Sequence, residues 1–307
     1  MSRIASIDGV LHAPEEARVS VYDRGFLYGD SVFETIRTYG GEPFALGEHL
    51  ARLGRSAAKI GFDLPINAAD LALEVRRAVR AARNDESYVR VTVTRGSGPL
   101  GLDPALARAP LRVILVEPLT PLPSALYRDG VRAITTRVDR PADAAPGAKV
   151  GNYLASLLAL QAAKAQGAHE AILLDARGDV LEGATSNVFF VRDGALLTAP
   201  EDAGILAGIT RAHVLEIAGE LGVPVRLATF APTLAAQEAF LTSSLREVVP
   251  LSRIDDQRIG DGLPGSVTRA LHSAFRRRVG LGGEAMPWES MSGQTDGSSG
   301  DGQKQAR

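Results

Sequence analysis

Cysteine is absent from all 307 residues, which removes disulfides, thiolate nucleophiles and thiolate-ligated zinc in one step. An excess of either charge is missing too. The net charge is −2 and the pI is about 6.2, so electrostatics offers no handle for nucleic acid or an anionic membrane surface. No apolar run approaches the ~20 residues of a membrane helix, and the first residues carry no signal-peptide core. These absences leave a cytoplasmic globular protein as the expectation, with no metal and with neither nucleic acid nor a membrane as partner. Lysine is scarce as well: of 34 basic residues only Lys59, Lys149, Lys164 and Lys304 are lysines. Any chemistry that requires an amine therefore has four candidates.

What is present reads as an ordinary folded chain, 45% hydrophobic and 23% charged, long enough for two domains of ~150 residues. Residues 32–39 (VFETIRTY) are β-branched and aromatic, and Gly40-Gly41 with an apolar return at 43–46 predicts a hairpin. Leu50, Leu53, Ala57 and Ile60 give helical spacing over 46–60, closed by Gly61. A second helix follows at 71–82. Strands at 88–94 and 111–116, joined by a Gly/Pro loop over 95–110, complete a small α/β domain at 1–120. Prolines mark 121–130 as a linker. Residues 131–280 are expected to form a larger domain, with helices at 153–166, 209–221 and 267–279. Its strands fall at 171–174, 187–191, 195–198, 223–228 and 240–243, with an unpatterned loop at 140–147. The Gly/Ser/Gln-rich stretch 281–307 predicts a disordered tail. The fold class expected is mixed, α+β with α/β character, in two domains.

Among the four lysines, Lys59 occupies a polar position of a helix and Lys164 the cation-favouring end of another, while Lys304 is in the tail. Lys149 differs: its neighbours (PGA before it, VGN after it) are small and apolar, and a helix begins just beyond. Desolvation there would favour an uncharged, nucleophilic amine, although a structural lysine fits the same context. Residues 206–211 (LAGITR) place a glycine and a hydroxyl at a helix start. The amides of Gly208, Ile209 and Thr210 would suit a phosphate there, or simply begin a helix. Thr242, Ser243 and Ser244 offer two or three hydroxyls after a strand, and Glu182 sets one carboxylate beside Gly183.

Together these residues are more specific than any one of them. The order Lys149-x-x-Asn152, Glu182-Gly183-x-Thr-Ser-Asn187, Leu206-x-Gly208-Ile-Thr210-Arg and Ser243-Ser244-x-x-Glu247-Val resembles the class IV aminotransferases. So does the N-terminal half, with Asp23-Arg24-Gly25, Tyr28-Gly29-Asp30, Val32-Phe33-Glu34 and Glu48-His49-Leu50-x-Arg52-Leu53. The resemblance spans roughly residues 5–278. It implies fold type IV, with a small N-terminal α/β domain and a larger domain built on a barrel-like sheet. It implies pyridoxal 5'-phosphate as cofactor, joined to Lys149 and serving ping-pong transamination. Glu182 would keep the pyridine nitrogen protonated. Arg52, Gly208, Ile209, Thr210, Ser243 and Ser244 would hold the phosphate, and Tyr153 would stand beside the ring.

Within that family the pattern is most like the branched-chain amino-acid aminotransferases, which implies a branched-chain L-amino acid as donor and 2-oxoglutarate as acceptor. The residues aligned with the substrate pocket are Tyr28, Phe33, Thr35, Arg37, Arg90, Arg95, Leu100 and Leu102. Leu100 and Leu102 stand where D-amino-acid enzymes of the Bacillus type have an Arg/His pair. Thr35 departs from the glycine usual in branched-chain enzymes, and Asn152 lies one residue closer to Lys149 than in the enterobacterial members. Aminodeoxychorismate lyase and D-amino-acid or (R)-amine transaminases are the alternatives, and a non-enzymatic scaffold is the other class. The resemblance also implies a homodimer, with the 95–110 loop as the crossing segment.

Overall fold

The computed structural model describes residues 2–137, 145–232 and 235–289. The tail beyond residue 289 and most of the expected 140–147 loop lie outside the described residues. Short strands Ile4–Ile7 (β1) and Val10–His12 (β2) open the chain, followed by a one-turn helix, Arg24–Tyr28 (α1). Strand Ser31–Tyr39 (β3) turns at Gly40-Gly41, both at positive φ, into Glu42–Pro43 (β4). Helices Leu46–Lys59 (α2) and Ala68–Ala82 (α3) precede strands Ser87–Thr94 (β5) and Leu111–Pro118 (β6). These six strands form one sheet in the order β2-β1-β6-β5-β3-β4. Leu50, Leu53 and Ala57 of α2 join Val32, Ile36, Val89 and Val91 in its core, the outcome of helical spacing meeting strand alternation.

Residues 121–130 are more than a linker. They carry helix Ser124–Asp129 (α4), whose buried Tyr127 packs in the core of the following sheet. Then come strand Val131–Arg137 (β7), helix Leu154–Ala165 (α5) and strands Glu170–Leu174 (β8), Val180–Gly183 (β9), Asn187–Arg192 (β10) and Ala195–Thr198 (β11). Helix Ile209–Glu220 (α6), strands Val225–Leu227 (β12), Glu238–Ser243 (β13), Glu247–Ile254 (β14) and Gln257–Arg258 (β15), and helix Ser266–Arg278 (α7) complete the order. The nine strands form a second, mixed sheet, in which β7 runs parallel to both β8 and β14. Phe189, Phe240, Val214, Leu271 and Phe275 seal α6 and α7 against it.

Residues 281–289, assigned by composition to a disordered tail, are instead anchored to the fold by a few side chains. Leu281 joins the core beneath α7, Glu284 pairs with Arg276 at 3.0 Å, and the Trp288 ring lies 5.3 Å from His272. Composition misses this because a few anchoring side chains suffice to dock a glycine-rich stretch.

The two sheets meet along the segment that carries Lys149. Phe33 N donates to Lys149 O at 3.0 Å and Gly151 N to Ser31 O at 2.7 Å, with Val32 bridging Val150. Lys149 N donates to Ser56 Oγ of α2 at 3.0 Å. The segment thus borrows the edge of β3 and the flank of α2, which fixes its backbone between the two sheets.

Candidate active site

A cavity of about 590 Å³ opens between the sheets. Its N-terminal wall comes from alternation on β3 and β5: Phe33 and Thr35 on one strand, Tyr88 and Arg90 on the next, with Thr35 directly opposite Arg90. Lys149 lies in an aromatic corner. Its Nζ donates to Tyr153 Oη at 3.0 Å and stands 4.5 Å from the centre of the Phe33 ring, which meets Tyr153 edge-on.

The opposite wall carries Glu182, Asn187, Gly208, Ile209, Thr210, Ser243 and Ser244. Glu182 accepts from Leu206 N at 3.0 Å and from Asn187 Nδ2 at 3.4 Å, and Asn187 also donates to Leu206 O at 2.9 Å. Asn187 therefore ties the carboxylate to the loop that leads into α6. Gly208 caps α6 with no side-chain hydrogen bond to the helix amides. A Cβ at Gly208 would run into Asn187 Oδ1, so glycine is required by close approach.

Arg52 lines the cavity from α2. Its Nε and Nη2 both reach Glu34 at 2.7 Å, and Nη1 donates to Ala207 O at 2.7 Å. Glu34 is fully buried and also takes a 2.7 Å bond from His49 Nδ1. Burial alone would raise the Glu34 pKa, but hydrogen bonds from Arg52 and His49 and the Arg52 charge outweigh it and hold it at about 2. Burial pushes His49 down, and since an ionised carboxylate only accepts, neutral His49 donates its Nδ1–H.

Five residues expected at the substrate pocket stand off this cavity. Arg37 is committed to Glu247 at 2.9 Å and Leu245 O at 3.3 Å. Arg95 pairs with Asp30 and donates to the carbonyls of Ile60 and Gly61, closing the end of α2. Tyr28 accepts from Gly101 N, and Leu100 and Leu102 are 69% and 78% exposed at the loop tip. Spacing could not reveal these ion pairs, whose partners are distant in sequence. Lys59 is exposed, as its polar helix position implies, and from there it donates to Pro146 O at 2.6 Å, bracing the segment before Lys149. Sequence reasoning also passed over Tyr88, Asn187 and Arg246 on the walls and Glu34 and Ser56 behind them. Of these, only Glu34 and Asn187 carried a signal, as members of motifs quoted for other residues.

An amine in an aromatic corner, facing a helix start, an arginine and paired hydroxyls, is a site for a phosphorylated carbonyl compound. The class IV aminotransferase family model matches residues 31–254, and the chain belongs to this family of pyridoxal-phosphate-dependent transferases. It is 40% identical over 274 residues to a Methanocaldococcus jannaschii protein named "Putative branched-chain-amino-acid aminotransferase", covering 88% of this chain and 94% of that one. It is 35% identical to the D-alanine aminotransferase of Bacillus licheniformis, covering 89% and 95%. The branched-chain aminotransferase of the thermophilic archaeon Thermoproteus uzoniensis, solved with norvaline, superposes with a TM-score of 0.83 at 35% identity, covering 93% and 97%. The fold is that of the fold type IV aminotransferases.

The residues present fit the cofactor. Thr242 Oγ1 is buried on the cavity wall with no partner, the α6 start has no side-chain cap, and Lys149 is the only lysine lining the cavity among the described residues.

Proposed function

We propose that this aminotransferase exchanges an amino group between a branched-chain L-amino acid and 2-oxoglutarate. One observation carries the reading: Lys149 and Arg90 face a single cavity whose nearby wall is aromatic. The Arg90 guanidinium makes no hydrogen bond or ion pair among the described residues, and its carbon stacks 3.7 Å from the Phe33 ring centre. A cation held on an apolar face awaits a carboxylate. The side chain of an aliphatic donor would gain roughly 1.5–3 kcal/mol from burial against Phe33, Tyr153 and Leu173.

Bound pyridoxal phosphate would supply a carbonyl that takes up the substrate amine and a ring that withdraws electrons from its α-carbon. The chain's residues do the rest. Arg52, the Gly208–Ile209–Thr210 start of α6 and the hydroxyls of Ser243 and Ser244 hold the phosphate. Glu182 holds a proton on the ring nitrogen. Nζ of Lys149, within reach of Tyr153 Oη, would take up the proton released from the substrate α-carbon and hold it for return.

Thr35 on the wall and the D-alanine aminotransferase likeness favour a second reading, a short D-amino acid as donor. Mixing the loaded protein separately with L-leucine, L-valine, D-alanine, (R)-1-phenylethylamine and aminodeoxychorismate, and following the cofactor's visible band, separates them. Conversion by L-leucine and reversal by 2-oxoglutarate is the expected result. Inert L-leucine with reactive D-alanine selects the second reading, and pyruvate release from aminodeoxychorismate marks a lyase.

A further inference from the structure

The turn between β13 and β14 brings a second arginine to the same cavity. Arg246 lines it with a side chain one quarter exposed. Its Nε donates to Ser243 Oγ at 3.2 Å, and its Nη2 donates to Glu170 at 2.9 Å and Thr185 Oγ1 at 2.7 Å. A guanidinium has five N–H donors, and the bonds found among the described residues use none on Nη1. Nη1 is also not one of the buried, unpartnered atoms, so its donors face accessible space.

Glu170 is fully buried, and it already accepts from Thr185 Oγ1 at 2.6 Å and Ser186 Oγ at 3.0 Å. It fixes the plane of the Arg246 guanidinium without covering its outer edge. Tyr127 Oη, donating to Arg246 O at 2.9 Å, fixes the backbone of the same residue. An arginine locked from behind, lining the cavity and with one edge left accessible, is pre-organised for a planar anion.

We propose that Arg246 receives a substrate carboxylate and, with Arg90 on the other domain, makes the site a two-ended receptor for dicarboxylic acids such as 2-oxoglutarate. The inference rests on the aminotransferase substrate reading above. The competing role for Arg246 is a brace that only neutralises Glu170 and ties two turns together.

Variants of the loaded protein distinguish them, with apparent affinities measured for 2-oxoglutarate, L-leucine and isopentylamine, the last lacking a carboxylate. Arg246→Met leaves Glu170 charged and buried, so the double variant Arg246→Met/Glu170→Gln, which restores charge balance, is measured beside it. Both should weaken 2-oxoglutarate by about 10- to 100-fold, the loss of a charge-assisted contact, with cofactor content and the isopentylamine value unchanged. L-leucine weakens in parallel if Arg246 takes the α-carboxylate and is spared if it takes the distal one; either places a carboxylate there. Glu170→Gln alone should leave 2-oxoglutarate binding as tight or tighter, because Arg246 keeps its charge and loses its counter-ion. The proposal is overturned if the double variant binds 2-oxoglutarate like the wild type, or if Glu170→Gln weakens it as much as Arg246→Met does. Wild-type protein that reacts with no amino donor would instead overturn the substrate reading, before any variant is compared.

Discussion

Arg52, the arginine proposed to face the phosphate, is held by neighbours of its own. Two of its nitrogens lie on Glu34 and the third on Ala207 O, one partner from each domain. The guanidinium is therefore fixed in position before any anion arrives. Arg52→Ala should lower pyridoxal phosphate affinity about 10- to 100-fold, which a fluorescence titration of the apoprotein with cofactor would measure. Unchanged affinity would remove Arg52 from the phosphate site. Lys149→Ala should abolish the cofactor's visible band and all turnover, whereas Lys59→Ala should keep the band, since the Lys59 amine is exposed and its hydrogen bond among the described residues goes to the backbone at Pro146. A Lys149→Ala protein that still carried borohydride-reducible cofactor would refute the assignment.

At the scale of elements, β3 and α2 are joined by the Glu34–His49–Arg52 cluster, and its charges make that joint sensitive to acid. Glu34 titrates at about 2 in the folded chain against an ordinary value of 4.5. The stabilisation is therefore fully present above 4.5 and lost as pH falls toward 2. His49 is shifted below its ordinary 6.5, so the unfolded chain takes up its proton first and stability begins to fall below about 6.5. Urea unfolding at pH 7 to 3 should show both losses. Glu34→Gln should be less stable at pH 7 and should flatten the steeper loss below 4.5. A Gln variant with the wild-type pH profile would mean that other groups carry the acid sensitivity. The sequence made the joint only half legible. Periodicity gave α2 and β3 to within a residue or two and set Leu50 and Leu53 inward, but a buried Glu looks like any polar position between apolar ones. Similar reasons hid other elements. Pro250 lies inside β14, where its missing N–H argues against a strand, and α4 begins directly after Pro123, within a stretch that read as linker. The segment 195–198 was plain because a turn at Asp193-Gly194 and an apolar run mark both of its ends. The cavity residues proposed to hold the cofactor were legible as a set of motifs, while Tyr88 and Arg246 needed the fold to bring them to the cavity.

For the whole molecule, the 95–110 loop poses the sharpest question. Leu100 and Leu102 are exposed and do not line their own chain's cavity, yet the loop bearing them is firmly held. Buried Arg24 donates to the carbonyls of Gly101 and Leu102 at 2.9 and 3.2 Å, Gly101 N donates to Tyr28 Oη, and Arg95 anchors the loop's base on Asp30. Phe26, 69% exposed on α1, extends the apolar surface, and Leu154 and Leu157 expose another on α5. Ordering an apolar tip this firmly is costly unless something covers it. We propose that a second copy of the chain does so, and that the tip reaches the neighbour's cavity, where Leu100 and Leu102 would complete the apolar wall the single chain leaves open. Sedimentation of the wild type should then give a dimer. Leu100→Asp/Leu102→Asp should weaken the dimer and raise the KM for L-leucine by at least about tenfold, in line with the loss of a buried aliphatic contact. Far-UV circular dichroism and cofactor content should stay near wild type, because neither leucine contributes to its own subunit's core. An active wild-type monomer, or a double Asp variant with unaltered dimerisation and KM, would leave the loop tip without this role.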